Sequence, residues 1–420
     1  MAQYDSFWEI PGMRSGVITG TVAWDLLCFA KAKGFAIPAF SCTSSSIVNA
    51  ALEGAAKFGR PIILRFSEGA AAFFCGQGLP NEKLQASILG ACAIAHYVRN
   101  VAPAYGIPVI LHSEHCGPEQ APWLDGMIEA DAEFYKIYGE PLISSHTLGF
   151  TLERCKEYLT RMAHMDLIVE VEMQVAAIGE DAVYSTDLDV DLVCKELNPI
   201  SKFFIIAAAI GGVKVELRVG LLKQFQKHMA SQGDVEKPVF FAFHGGAGVT
   251  QRDIDTALSN GVVKMNIESD AEWAYWEGLL RFYKSNEAHL QAQIGNPEGP
   301  EMPNKSFYDP RRWVRTSEES MRWQVVQGCE ASNNLEKDQK KAWRKVQKEE
   351  EAKARKEEEA QAKARGQPAS GVQSMLSSVR KAVTEPLLVP PTPPMSPRKP
   401  EPVSPSPSPS MASCNRRRRS

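Results

Sequence analysis

Eight short apolar runs, each followed by a stretch with helical periodicity, constrain the fold of this chain more than any other feature. Runs that are apolar throughout are typical of parallel strands buried on both faces of a sheet. Eight such strands alternating with helices predict an α/β fold of the closed (β/α)8 TIM barrel type. The runs span residues 35–40, 61–66, 108–113, 141–145, 167–173, 203–209, 238–244 and 262–268.

A doubly wound open sheet is the structural alternative. That fold usually carries a Gly-rich phosphate loop after its first strand, and the corresponding position here reads SCTSSS at 41–46. The sequence therefore favours the barrel.

Composition divides the chain into three parts. Residues 1–332 have the alternating pattern and are predicted to form the barrel. Residues 333–366 are almost all Lys, Glu, Arg, Gln and Ala, which indicates a charged helical or disordered segment without an apolar stripe to bury. Residues 367–420 are rich in Pro and Ser and end in RRRRS, so this C-terminal extension is predicted to be disordered, with the basic end as a solvated tail or an anion-binding patch.

The net charge and the cysteines limit which partners and which cellular compartment are expected. A net charge of −3 argues against a nucleic-acid binder. The nine cysteines are an odd number without a CxxC pair, which indicates reduced thiols and a cytoplasmic location. No secretory signal and no membrane-spanning apolar segment is apparent, so we expect no membrane contact.

Polar residues end five of the eight predicted strands. In a barrel of this type the chemistry lies at the carboxyl ends of the strands. Glu170 and Glu172 are two residues apart and therefore share one face of their strand. The other polar ends are residues 67–69, 112–115, 244–248 and 266–270. Imidazoles beside carboxylates are suitable zinc ligands, so these ends predict a polar pocket that could hold a metal.

Two further features could bind phosphate. The glycines of HGGAG, Gly245, Gly246 and Gly248, let backbone N–H groups approach an anion, although a tight turn is an equal reading. Arg311 in DPRRW follows the barrel and could reach a second phosphate, with surface solvation as the alternative.

Long strings of the chain resemble the class II fructose-bisphosphate aldolases, especially their fungal and enterobacterial branch. The resemblance covers about residues 16–320 and leaves out the final hundred. Its most specific strings are YGIPVILHSEHC at 105–116, EPLISSH at 140–146, FHGGAG at 243–248, GVVKMNIESDAEWAY at 261–275 and YDPRRWVR at 308–315.

The resemblance implies a function and a set of site residues. It implies zinc-dependent aldol cleavage and condensation of fructose 1,6-bisphosphate, with dihydroxyacetone phosphate and glyceraldehyde 3-phosphate as products, in a homodimeric enzyme of glycolysis and gluconeogenesis. By position, zinc ligands would be His115, His244 and Glu172. Catalytic residues would be Glu114 and Glu180, and substrate-binding residues would be Ser67, Asn266, Glu268, Ser269 and Arg311 together with the glycines of HGGAG.

The chain departs from the family pattern at the predicted mouth. The middle zinc histidine and a short phosphate loop after the sixth strand are missing, and Lys214 is the nearest, poor substitute. Glu114 replaces an Asp, Ser41 and Glu68 replace Asn residues, and Gly149 replaces an Asp. A carboxylate such as Glu68 near a phosphate is unfavourable. The alternatives are therefore a lyase for another, less phosphorylated aldol, or a catalytically inactive paralogue that binds partners.

Overall fold

The parallel strands and the helices alternate along the chain as the apolar runs predict. The structure is a computed structural model that describes residues 4–173, 184–211, 215–244 and 249–364. The strands are β1 (Gly16–Val17), β2 (Ile37–Ser41), β3 (Ile62–Phe66), β4 (Pro108–Ser113), β5 (Ser145–Leu148), β6 (Ile168–Glu172), β7 (Phe204–Ala207), β8 (Phe241–His244), β9 (Val262–Ile267), β10 (Ile294–Asn296) and β11 (Gly299–Pro303).

Strands β2 to β9 close on themselves. Each strand pairs in parallel with the next one along the chain, and β9 pairs with β2. The short β1 pairs in parallel with the first residues of β4, and β10 with β11 forms a separate antiparallel pair. The prediction of a (β/α)8 TIM barrel is confirmed.

Helices surround the barrel and cover the outward faces of the strands. They are α1 (Gly20–Lys33), α2 (Ser45–Ala56), α3 (Glu68–Cys75), α4 (Gln85–Val101), α5 (Ala121–Tyr138), α6 (Leu152–Met162), α7 (Asp187–Leu197), α8 (Gly220–Ala230), α9 (Gln251–Ser259), α10 (Ser269–Asn286), α11 (Lys305–Tyr308), α12 (Pro310–Ala331) and α13 (Lys337–Ala364). Within the described ranges, no helix is long and apolar enough to cross a membrane.

Side-chain polarity changes along several of the barrel strands. Near the amino ends, interior residues such as Ile37, Ile63 and Ile168 pack in one apolar cluster with α1. Near the carboxyl ends, some of the buried residues are charged, as in Arg65 and Glu170. The barrel is therefore closed by apolar packing at one end, and its polar groups are gathered at the other.

The fourth predicted strand lies later than expected. Residues 141–145 are apolar, but the paired segment is β5, and only Ser145 belongs to both. Residues Ser145 and His146 pair with His112 and Ser113 of β4. The prediction of this strand was misplaced because three of its four buried residues are polar and are satisfied by hydrogen bonds to other elements, so hydrophobicity did not reveal them.

The charged segment after residue 332 buries two apolar side chains that the sequence analysis missed, Leu335 and Trp343. Trp343 on α13 is fully buried, with its ring centroid 4.4 Å from that of Trp323 and 6.2 Å from that of Phe58. The expectation that this segment buries no apolar group is wrong at these two residues, because a composition averaged over the segment hides single apolar side chains. The boundaries near 332 and 366 stay predictions, and residues 365–420 lie outside the described part of the chain.

Candidate active site

A buried arginine joins two acidic side chains at the carboxyl end of the barrel. Arg65, on β3, is only 1% exposed. One terminal nitrogen, Nη1, forms an ion pair with Glu114, and the other, Nη2, donates to Glu268 Oε2 at 2.9 Å. The hydroxyl of Ser41 donates to the other oxygen of Glu114 at 3.2 Å. Residues on or directly after four strands, β2, β3, β4 and β9, thus form one cluster.

A pocket of about 370 Å³ lies beside this cluster. Burial raises the pKa of Glu272 above its ordinary value, and the neighbouring Glu268 carboxylate raises it further. The pocket is therefore acidic on one side. Its lining residues are Ser41, Thr43, Ser67, Gly69, Ala70, Phe73, Glu114, Glu268 and Glu272.

A second group of polar side chains lies below the mouth, and we call it the buried polar layer (His112, Glu170 and Lys264). The Lys264 ammonium lies 2.7 Å from Glu170 Oε2 and also donates to Asn266 Oδ1 at 2.7 Å. Burial alone would raise the pKa of Glu170, but Lys264 and the imidazoles of His112 and His244 hold it well below its ordinary value. Burial and the positive charge of Lys264 lower the pKa of His112 well below its ordinary value. The layer therefore holds an ionised carboxylate beside a neutral imidazole.

A hydrogen-bonded chain supports the end of β4 from outside this layer. The Ser113 hydroxyl lies 2.7 Å from His146 Nδ1, and His146 Nε2 lies 2.8 Å from Asp131 Oδ2. The second oxygen of Asp131 accepts from the backbone N–H of Ile143 at 2.7 Å. All three side chains are buried, so this serine–histidine–aspartate arrangement has no access to a substrate and serves to hold β4 and β5 in place.

The three predicted zinc ligands lie at the mouth. His115 follows β4 in a left-handed backbone conformation with φ of +53°. Its Nδ1 lies 3.9 Å from Glu172 Oε1, and its ring centroid lies 6.3 Å from that of His244. Burial lowers the pKa of His115, so its imidazole is neutral at pH 7 and has a lone pair to offer. Glu170 Oε1 lies 2.7 Å from His244 Nε2. An ionised carboxylate accepts a hydrogen bond, so this contact favours a proton on Nε2 and leaves the lone pair of His244 on Nδ1.

The donors suit zinc in type but are spread wider than a bound ion requires. Zinc bonds to imidazole nitrogen and carboxylate oxygen of about 2.1 Å place neighbouring donors roughly 3.3 Å apart. Within the described part of the chain, no three His, Cys, Asp or Glu groups are already grouped to hold an ion. The His115 and Glu172 side chains are 50% and 33% exposed, so neither is fixed in place by burial.

The predicted substrate-binding residues fall in different places. Ser67 lines the pocket, and its hydroxyl caps α3 by accepting from the backbone N–H of Ala70 at 3.2 Å. Glu268 also lines the pocket, and Asn266 is bonded to Lys264 just below it. Ser269 begins α10 and is exposed.

Arg311 is not brought to the pocket. Its side chain is 90% exposed and bonds Asp309, the residue that caps α12. Five other residues considered in the sequence analysis, namely Glu180, Lys214, Gly245, Gly246 and Gly248, lie outside the described residues.

The Glu68 carboxylate, which the sequence analysis expected beside a phosphate, is bonded to two neighbouring side chains. Its carboxylate accepts from Asn81 Nδ2 at 3.1 Å and bonds the Ser87 hydroxyl. Glu68 is therefore held between α3 and α4 and is absent from the pocket lining.

Two buried charges beside the site were missed from the site prediction. Arg65 lies within the apolar run PIILRF, and Lys264 lies within VVKMN. A charged residue inside an otherwise apolar strand has to find a buried partner, so this break in the pattern is the signal that could have revealed both.

The comparisons with known proteins agree with the geometry. A family model described as fructose-bisphosphate aldolase class-II matches residues 22–337. The fructose-bisphosphate aldolase of Saccharomyces cerevisiae is 43% identical over 347 residues, covering 77% of this chain and 97% of the relative. The Escherichia coli fructose-bisphosphate aldolase class 2 is 40% identical, covering 74% and 93%. The crystal structure of fructose-bisphosphate aldolase from Campylobacter jejuni superposes with a TM-score of 0.73 at 40% identity, covering 77% and 97%.

Proposed function

Because the chain belongs to the class II fructose-bisphosphate aldolase family, we propose that it is a zinc-dependent aldolase of fructose 1,6-bisphosphate. In the cleavage direction it would release dihydroxyacetone phosphate and glyceraldehyde 3-phosphate, and in the other direction it would condense them. The matches cover 97% and 93% of the lengths of two relatives that are named for this activity, which supports extending the activity to this chain.

The metal would be held by His115, His244 and Glu172. Bound zinc supplies a Lewis acid for the ketose carbonyl, which lowers the cost of negative charge on the adjoining carbon. The Glu170 carboxylate orients His244 through its 2.7 Å contact. Such a carboxylate partner raises the basicity of a ligating imidazole and fixes its ring orientation.

Two glutamates would move the protons. In cleavage, the C4 hydroxyl donates its proton to Glu114, the C3–C4 bond breaks, and the aldehyde carbonyl forms at C4. The electron pair of that bond remains on C3, which takes a proton from Glu180. Condensation runs through the same steps in reverse, with Glu180 removing the C3 proton and Glu114 returning a proton to the aldehyde oxygen. Ser67 and the glycines Gly245, Gly246 and Gly248 would bind phosphate, and Asn266, Glu268 and Ser269 would hold the sugar. Arg311, which the structure does not bring to the pocket, has no role in this proposal.

The observation that carries the proposal is the approach of two imidazoles and one carboxylate at the barrel mouth, next to an open pocket. The test is zinc analysis of the purified protein, followed by a coupled assay of fructose 1,6-bisphosphate cleavage with and without chelator. We expect about one zinc per chain and cleavage that chelator abolishes and zinc restores. His115→Ala should lose both the bound zinc and the cleavage activity. The matched control His164→Ala, at an exposed histidine away from the mouth, should keep both. Cleavage that persists in metal-free protein would overturn the proposal.

A second candidate is an aldolase for a less phosphorylated ketose. The acidic lining favours it, because Glu114, Glu268 and Glu272 would repel a phosphate, and Arg65 is already bonded to two of them. The ratio of kcat/KM for fructose 1,6-bisphosphate to that for fructose 1-phosphate separates the two candidates. A ratio well above one supports the bisphosphate, and a ratio below one supports the second candidate. A protein with neither zinc nor cleavage would instead be a binding protein.

We also propose that the enzyme is a cytoplasmic homodimer acting in glycolysis and gluconeogenesis. The basis is the family together with the reduced cysteines that the sequence indicates. Light scattering of the purified protein should give twice the chain mass of 46.3 kDa. A mass of one chain would contradict the dimer.

A further inference from the structure

We propose that Arg65 is a positioning residue for the aldol step, holding the Glu114 and Glu268 carboxylates at fixed places in the pocket wall. This inference rests on the proposed function, in which Glu114 moves a proton on the substrate oxygen. Arg65 itself does not line the pocket, whereas both of its partners do.

The guanidinium lies behind the pocket wall and reaches two separate elements. Arg65 extends from β3 with 1% of its side chain exposed, and its two terminal nitrogens are divided between Glu114, just after β4, and Glu268, just before α10. The planar fork of an arginine has a fixed spacing between its donors. One side chain therefore sets the relative position of two carboxylates that come from opposite parts of the sequence.

The two carboxylates differ in how tightly they are held. The Glu114 side chain is 5% exposed, and its second oxygen accepts from Ser41, so both of its oxygens are engaged. The Glu268 side chain is 46% exposed and faces the pocket opening. Glu114 is thus placed within narrow limits, and Glu268 can adjust to a ligand while it remains bonded to Arg65.

Arg65 is oriented so that its two terminal nitrogens reach Glu114 and Glu268, and this orientation leaves its Nε–H donor unsatisfied among the described residues. Its Nε–H is buried and has no hydrogen-bond partner within the described part of the protein. A buried arginine that only needed solvation would use that donor as well. The arrangement is better explained by the need to keep two like charges close together at the pocket.

Without Arg65, Glu114 and Glu268 would repel each other in a poorly solvated wall. We expect Glu114 to move away from the position where it meets the substrate hydroxyl. A displacement of about 1 Å can cost roughly a hundredfold in rate. The effect should appear in kcat, because a proton transfer that occurs only in the transition state does not contribute to ground-state binding.

The test compares Arg65→Gln and Arg65→Lys with Arg60→Gln. Arg60 is a matched control, since it is also buried and ion-paired, but its partner is Glu336 before α13. For Arg65→Gln we expect kcat for aldol cleavage to fall about a hundredfold, with KM changed by less than about threefold. Arg65→Lys keeps a cation that can reach one partner and should recover part of kcat. Arg60→Gln should lower only the thermal midpoint.

A crystal structure of ligand-free Arg65→Gln completes the test and does not depend on activity. We expect the two carboxylates to separate by more than about 1 Å, with loss of the Ser41 contact. The proposal is overturned if the carboxylates keep their places, or if they move while kcat of an active protein does not change. It is also overturned if kcat falls equally in Arg60→Gln. If the native protein cleaves no fructose 1,6-bisphosphate, the proposed function fails, and the crystal structure alone decides whether Arg65 holds the two acids.

Discussion

The barrel contains two polar regions that differ in what their charges are bonded to. In the buried polar layer, the side chains of His112, Glu170 and Lys264 are 1%, 1% and 2% exposed, and they are bonded to each other or to neighbouring buried groups. At the mouth, the side chains of His115, Glu172 and Glu268 are 50%, 33% and 46% exposed. We call these three the mouth residues.

The difference separates charges whose loss chiefly affects stability from charges that are exposed to a ligand. Charges inside the layer have partners and no solvent, so removing one leaves another uncompensated. Charges at the mouth are partly solvated, so removing one costs little stability and affects only what they bind. Glu170 and Glu172 make the comparison direct, since they are two residues apart on the same face of β6.

The largest expected effect is on stability. Glu170→Gln leaves the Lys264 ammonium buried without its carboxylate, so we expect the free energy of unfolding to fall by about 3–5 kcal/mol. Glu172→Gln, the matched variant at the mouth, should change it by less than about 1 kcal/mol. Equilibrium unfolding in urea measures both. Equal losses of unfolding free energy in the two variants would contradict the distinction between the buried polar layer and the mouth.

A smaller effect should appear in the pH dependence of stability. Burial lowers the pKa of His112 in the folded protein, so the imidazole is neutral while the protein is folded. In the unfolded chain this histidine takes up a proton below a pH of about 6.5. Its contribution is thus fully present above that pH and is lost as the pH falls below it. The slope amounts to about 1.4 kcal/mol per pH unit for one proton.

The variant His112→Gln isolates this contribution. Between pH 6.5 and 5, the free energy of unfolding of this variant should fall less steeply with decreasing pH than that of the native protein. The two slopes should differ by up to about 1.4 kcal/mol per pH unit. His164→Ala, at an exposed histidine, should leave the slope of the native protein unchanged. If the His112 variant keeps the full slope, the imidazole is not held neutral by the layer.

The smallest expected effect concerns backbone strain at the mouth. His115 has φ of +53°, a conformation that costs a non-glycine residue about 1 kcal/mol and glycine almost nothing. We therefore expect His115→Gly to be more stable than His115→Ala by up to about 1 kcal/mol, although both should lose metal binding. Thermal unfolding of the two metal-free variants provides the measurement. A less stable glycine variant would show that the backbone at this residue is not strained.

Much of the fold was predictable, because seven of the eight barrel strands have apolar side chains on both faces. The exception was β5, whose buried Ser145, His146 and Thr147 are polar and satisfied only by partners from other elements. Sequence patterns report the hydrophobicity of a segment and do not report which distant residue will satisfy its polar groups.

The candidate site was predictable to a similar depth. Reading the strand ends indicated that His115, Glu172 and His244 would lie near one another, since parallel strands end at one edge of a barrel. The pairing of Arg65 with Glu114 and Glu268 could not be predicted in the same way. It depends on three side-chain conformations from separate elements, and none of the three residues carries that information alone.

The proposed function requires His115 and His244 to share one metal ion with Glu172 at the barrel mouth. The most direct test is a crystal of zinc-loaded protein with anomalous data collected on both sides of the zinc absorption edge. We expect one anomalous peak between the two rings, with nitrogen and oxygen ligands at about 2.0–2.2 Å. A map without a peak there, or with zinc bound only elsewhere, would contradict the claim.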